Sequence, residues 1–154
     1  MSLLRSLIRS ESGQALAEFA LVLPVLILIL FAVVQFGKAF NYWNDATHIS
    51  AEGARYAAVN GKPYPTGPGT LQAQLLAQAD TPELRGGGTA DVPTATQVCI
   101  DFPNGSARRG DPVRVAMTFR YAWAPLLNLA PQTITSTAVM RLETAPTTYS
   151  AGCA

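Results

Sequence analysis

Residues 19–34, FALVLPVLILILFAVV (Phe19 to Val34), form an unbroken apolar run that opens directly after a lone carboxylate, Glu18. Extended from Gln14 to Phe36 the segment has about 23 residues, enough at ~1.5 Å per residue to cross a bilayer. It outlasts the ~7–15-residue apolar region of a signal peptide. The next residues, Gln35-Phe36-Gly37-Lys38, offer no small-x-small cleavage site. The segment therefore reads as a retained transmembrane span, residues 14–36. Arg5 and Arg9 place the N-terminus in the cytoplasm and send the rest outward, with Lys38 opposing weakly.

The remainder of the 154 residues suffices for one small domain. Net charge is +1, with no basic block, which argues against a nucleic-acid partner. The apolar fraction, 49%, is inflated by the span and says little about the core of the rest. Both cysteines, Cys99 and Cys153, fall in the outward part, where an oxidising compartment lets them pair. Closing that loop of about 55 residues would contribute ~4 kcal/mol in the chain-entropy account. The competing reading leaves Cys153, one residue from the last, free.

Residues 1–13, MSLLRSLIRSESG, form a short leader ending in Gly13, and Glu18 stands five residues later, followed by Phe19. This arrangement resembles the processing site of type IV-like prepilins, and Glu-Phe suits their Tad/Flp branch. The resemblance implies that a prepilin peptidase cuts between Gly13 and Gln14, and that Glu18, fifth in the mature chain, pairs with the N-terminal amine of a neighbouring subunit to set register. Physical chemistry supplies an independent reason to notice Glu18: a carboxylate at the head of a membrane helix needs water, a proton or a cation. Cleavage would create a cation on Gln14. Pro24, inside the run, is compatible with a kinked span.

Beyond the span an amphipathic helix continues over 37–60. Phe36, Phe40, Trp43, Thr47, Ser50, Ala54 and Ala57 recur at helical spacing, widened by Ala39, Tyr42, Ala46, Ile49, Gly53 and Tyr56. Lys38, Asn41, Asp45, His48, Glu52 and Arg55 form the opposite, solvated face. Asn60-Gly61 supplies a left-handed cap, and Pro63, Pro65 and Pro68 prevent resumption. The whole helix, about 45 residues or ~68 Å, exceeds what the rest of the chain can bury, so its distal part is expected to pack on the head and its proximal part on other chains. The stretch Ala-Glu-Gly-Ala-Arg-Tyr-Ala-Ala (51–58) resembles the TadE-like family of pilus-assembly pseudopilins, which covers Gly13 to Gly61 in register.

Residues 61–154 read as an extracytoplasmic head. GKPYPTGPGT (61–70) is a linker without stable structure of its own. Leu71–Ala79 is a short helix with Thr70 as N-cap and Leu71, Leu75 and Leu76 inward, ended by Asp80-Thr81-Pro82. Three alternating patterns complete the chain: Val98/Ile100/Phe102, Val113 to Tyr121, and Ile134/Ala138/Met140/Leu142. The fold class is α+β, a long N-terminal transmembrane and amphipathic helix with a small antiparallel sheet packed on its distal part. The connection from Trp123 to Pro131 is apolar and suited to covering a sheet edge.

No catalytic constellation is visible, so an enzyme is not expected. His48 with Asp45 and Glu52 reads as a charged helix face rather than a metal site, and no cofactor or small-molecule substrate is implied. Gly86-Gly87-Gly88 lacks the Lys-Ser/Thr of a phosphate loop and reads as a flexible loop; Arg109-Gly110-Asp111 spells an adhesion tripeptide of ordinary turn residues. What the resemblance implies is a minor pilin or pseudopilin of a Tad (Flp) pilus. Its expected partners are the membrane, other pilins, the Tad assembly machinery and prepilin peptidase. The alternatives are a membrane-anchored extracytoplasmic binding module, for which Gly13 and Glu18 would be unnecessary, or a secretion-machinery component that stays in the membrane.

Overall fold

The computed structural model describes residues 11–67, 69–123 and 130–154. The readings that rest on Arg5, Arg9, Pro68 and most of the 123–131 connection lie outside the described residues. The chain divides into two compact units, one ending at Lys38 and one running from Ala39 to Ala154. Helix α1, Glu11–Ala58, contributes to both and contains Pro24 without interruption. The first unit is described by this helix alone.

In the second unit a four-stranded antiparallel sheet follows two short helices, α2 (Leu71–Ala77) and α3 (Pro82–Gly86). The strands are β1 (Gln97–Asp101), β2 (Pro112–Tyr121), β3 (Gln132–Arg141) and β4 (Gly152–Cys153), in the order β3-β2-β1-β4. Strand β2 carries the clearest alternation: Val113, Val115, Met117, Phe119 and Tyr121 are buried to within 1%. Each such side chain contributes about 1.5–3 kcal/mol by leaving water. Val98 and Ile100 extend this inner face across β1, and Ala46, Ile49, Ala54 and Ala57 of α1 close it from the other side.

The buried stripe of α1 follows Ala39, Tyr42, Ala46, Ile49 and Gly53, with Ser50, Ala54, Ala57 and Ala58 joining toward its end. Small residues bring the helix close to the sheet. A Cβ on Gly53 would stand 2.7 Å from a methyl of Leu75 and 3.0 Å from one of Val115. Asp45, expected on the solvated face, is instead buried. Its carboxylate accepts hydrogen bonds from the backbone N–H groups of Asp80 (3.1 Å) and Thr81 (2.8 Å) and from the Thr81 hydroxyl. It thereby satisfies donors at the start of α3, where the Thr81 side chain makes no capping bond to its own helix.

Asn60 ends α1 in the left-handed conformation, with Asn60 N–H to Ala57 O and Gly61 N–H to Tyr56 O completing a Schellman motif. Asparagine does more here than glycine would. Its amide donates to the Thr147 hydroxyl (2.8 Å) and its Oδ1 accepts from the backbone N–H groups of Thr147 (2.9 Å) and Thr148 (3.1 Å). The segment 143–154 is thus tied across the end of α1. Glu143 N–H reaches Ala58 O, and the Tyr149 hydroxyl donates to Ala57 O at 2.7 Å. Further on, Gln72 donates to the carbonyls of Ser150 and Gly152, and β4 pairs with β1. Cys99 and Cys153, cross-strand partners in that pairing, form a disulfide.

Several expectations change. Segment 61–70 is not without structure: a turn joins Gly67 N–H to Tyr64 O, and the Gln74 side chain holds Tyr64 N–H and Gly67 O. The glycine triplet is partly fixed, since Gly87 caps α3 at positive φ and a side chain there would collide with the Thr94 carbonyl. On β3, Met140 is 40% exposed and Ser136 is the buried residue, because Ser136 meets Ser50 and Thr47 through hydrogen bonds. Asp111 is held inside its own loop by the Ser106 hydroxyl (2.6 Å) and Arg108 N–H (3.0 Å), which pull its carboxyl below the usual range. That engagement speaks for a turn element rather than an adhesive tripeptide.

Unfolding of the full chain in detergent tests three of these ties. Replacing both Cys99 and Cys153 by alanine releases a 54-residue separation, and the denaturation midpoint should fall by the equivalent of ~4 kcal/mol. Asp45→Ala strands the Asp80 and Thr81 donors and should cost about 1–3 kcal/mol. Burial pushes the Tyr149 hydroxyl up to about 12 from 10.0. Because the folded value is the higher, its contribution is fully present below pH 10 and lost as pH rises from 10 towards 12. Tyr149→Phe should flatten that alkaline loss.

Candidate assembly surface on the long helix

From Leu16 to Val34 the large apolar side chains of α1 stand exposed apart from the half-buried Phe31, Leu21 at 76% and Leu16 at 69%. Burying no such row inside the first unit, the helix presents it to whatever surrounds that unit. By length and composition this is a helix that can cross a membrane. Pro24 sits within it and leaves the helix continuous, as a membrane helix tolerates.

At the start of this surface the helix already runs through Gly13 and Gln14. The Gln14 side-chain amide donates to Glu18 Oε1 at 3.0 Å, the two residues being one turn apart. The expected processing residues, Gly13 and Gln14, and the expected register residues, Glu18 and Phe19, are therefore neighbours on two successive turns. Phe19 is 59% exposed beside the carboxylate. In this arrangement a neutral amide occupies one oxygen of Glu18.

Farther along, burial in the second unit begins at Ala39 and Tyr42, while Phe40 and Trp43 on the other side stay exposed, their rings 5.8 Å apart. The remaining charged face is solvated as expected, with Asn41, His48 and Arg55 exposed and Arg55 paired to Glu52 at 3.7 Å. Asp45, turned to the start of α3, is the exception. Open grooves on either side of His48 are lined by Asn44, Asp45 and Thr81 on one side and by Glu52, Gln78 and Arg85 on the other. Among the described residues no cluster of three or more His, Cys, Asp or Glu side chains is placed to hold a metal ion.

The outer face of the sheet carries one ordered ion pair. Arg114 Nε donates to Asp101 Oδ1 at 2.8 Å and its Nη2 to Oδ2, across directly opposed positions of β1 and β2. The Arg114 guanidinium draws the Asp101 carboxyl below its usual range. Both groups are about half exposed, so solvent screens the pair and it adds little to stability. Its use is to fix register.

Sequence reasoning missed Asp45 and Asn60 as long-range ties. Asp45 is offset by one position from the buried Ala46, so a period count assigns it to either face. Asn60 shows its left-handed role in the Asn-Gly pair, but nothing local points to Thr147 and Thr148.

Residues 13–55 fit the family model described as TadE-like protein. No curated protein and no solved structure matches the chain. The matched segment starts at the glycine of the expected processing site and ends inside the part of α1 that packs on the sheet. Over that segment, which makes up most of its long helix, the chain is similar to the TadE-like family.

Proposed function

We propose that this protein is a minor pilin or pseudopilin in the assembly of a Tad (Flp) type pilus. The observation that carries the reading is the coincidence, on one helix, of the TadE-like match with an apolar surface that the chain itself leaves uncovered. A structural subunit needs such a surface twice, first against lipid and then against neighbouring subunits. The role is structural rather than enzymatic, as for the pilus-associated family it resembles.

In this reading the chain is made as a precursor, and prepilin peptidase removes residues 1–13. The span holds the N-terminus in the cytoplasm and the head, with its disulfide, outside. Loss of the leader leaves an α-ammonium on Gln14, one turn from Glu18. Within a membrane either charge alone is costly, so the two favour a partner from the adjacent subunit or from the same helix. That preference sets the axial register as the helix leaves the bilayer for a filament. The head then primes or decorates the assembly.

Two measurements test this. Intact mass and N-terminal sequence of the membrane-extracted protein, with and without prepilin peptidase, should show a chain starting at Gln14 only when the peptidase is present. A Met1 start in both leaves a plain tethered domain. Glu18→Ala should still be cleaved, yet be lost from the sheared filament fraction and retained in the membrane. Recovery of Glu18→Ala in filaments at the level of the unaltered chain would remove Glu18 from register setting.

A further inference from the structure

Exposed large apolar side chains run along α1 from Leu16 to Trp43 and then stop. Between Trp43 and Val59 the helix exposes none, and the positions that continue the same side are Asn44, Thr47 and Ala51. The row ends on an aromatic pair, Phe40 at 65% and Trp43 at 47% exposure, in ring contact with each other. At the same level Ala39 and Tyr42 are within the head core. One side of this turn thus belongs to the folded head, and the other is aromatic and open.

Helix dimensions give this end point a meaning. A carboxylate is costly in hydrocarbon, so Glu18 marks one edge of the apolar layer. Twenty residues at ~1.5 Å each, Phe19 to Lys38, cover its ~30 Å. The headgroup layer on each side adds about 5–8 Å, or roughly three to five residues, which are 39–43. Phe40 and Trp43 fall within it. Lys38, just before them, has the long stem that lets an ammonium reach the headgroups from the hydrocarbon edge. Trp prefers this zone because its ring is apolar while its indole N–H asks for a polar partner.

We infer that Phe40 and Trp43 form an interfacial anchor, a contact with the phospholipid headgroup layer on the outer side that fixes the depth of the helix and seats the first turn of the head at the bilayer surface. This rests on the membrane-anchored reading of the chain. A second protein chain over the same pair is the competing occupant, and the test separates the two.

The full-length chain is reconstituted in phosphatidylcholine vesicles whose acyl chains are brominated either near the ester end or near the methyl end. With Trp123→Phe, Trp43 is the sole tryptophan. Its emission should lose more than half its intensity with ester-end bromines and markedly less with methyl-end bromines. Should Trp123→Phe fold poorly, Trp43→Phe in the otherwise unaltered chain supplies the converse, removing the ester-end-quenched part of the emission. Protein that floats with the vesicles but shows no bromine quenching of Trp43 overturns the anchor and points to a covering protein chain. Deeper quenching by methyl-end bromines overturns it by placing Trp43 in the hydrocarbon. Protein that does not float at all overturns the membrane-anchored reading itself.

Discussion

The head depends on the close contact between the small-residue stretch of α1, Ala46 to Ala57, and the continuous apolar face of β2. A twisted sheet of four strands, one of them only two residues long, is marginal without a layer to cover it. Alanine, serine and glycine along the helix let its backbone approach the sheet, and large side chains from the strands, from Leu71, Leu75 and Leu84 and from Tyr42 and Ile49 of the helix fill the space. Gly53 sits where α2 and β2 both press on the helix. Volume added to α1 there has no room, whereas the same helix carries bulky residues freely where it leaves the head.

One helix consequently has two regimes. Over its first part the exposed side chains are large and apolar; over its last part the face turned to the sheet is mostly small and enclosed. The change occurs within about two turns, from Ala39 to Ala46, where aromatic and polar groups divide the circumference among head, solvent and the remaining side. A helix of uniform composition could not serve both surroundings. Too many large residues would hold the sheet away, and too few would leave nothing for lipid or for a neighbouring subunit to grip.

Much of this was legible because it is periodic. The alternation of β2 maps directly onto burial, and the helical spacing of α1 does so at Ala39, Tyr42, Ala46, Ile49 and Gly53, whereas Phe36, Phe40, Trp43 and Thr47 of the expected stripe stay exposed. The spacing of Gly13, Glu18 and Phe19 puts those residues on successive turns of a single helix. What escaped was carried by single polar groups acting over long separations. Asp45 reaches Thr81 across 36 positions, Asn60 reaches Thr147 and Thr148, and β4 is two residues that only the β1 edge makes into a strand. Local pattern cannot report such contacts, since each is decided by where a distant backbone donor happens to lie. Ser136 is the same lesson reversed: a polar residue takes the buried place on β3 because its hydroxyl donates to Thr47 Oγ1, while the Ser50 hydroxyl donates to its backbone carbonyl.

The strap formed by residues 143–154 has a consequence for the order in which the head comes together. Its ties to Ala57, Asn60, Gln72 and Cys99 link the last residues of the chain to groups made 54 to 92 positions earlier. Contacts so distant in sequence form late and slowly. When the head is delivered outward in chain order behind the span, as in the proposed topology, α1, β2 and β3 can meet while the strap is still arriving. The carbonyls at the end of α1 and the outer edge of β1 then remain open until the final dozen residues arrive. In that order the head reaches its finished form only once residues 143–154 have arrived, which couples its maturity to the delivery of that segment.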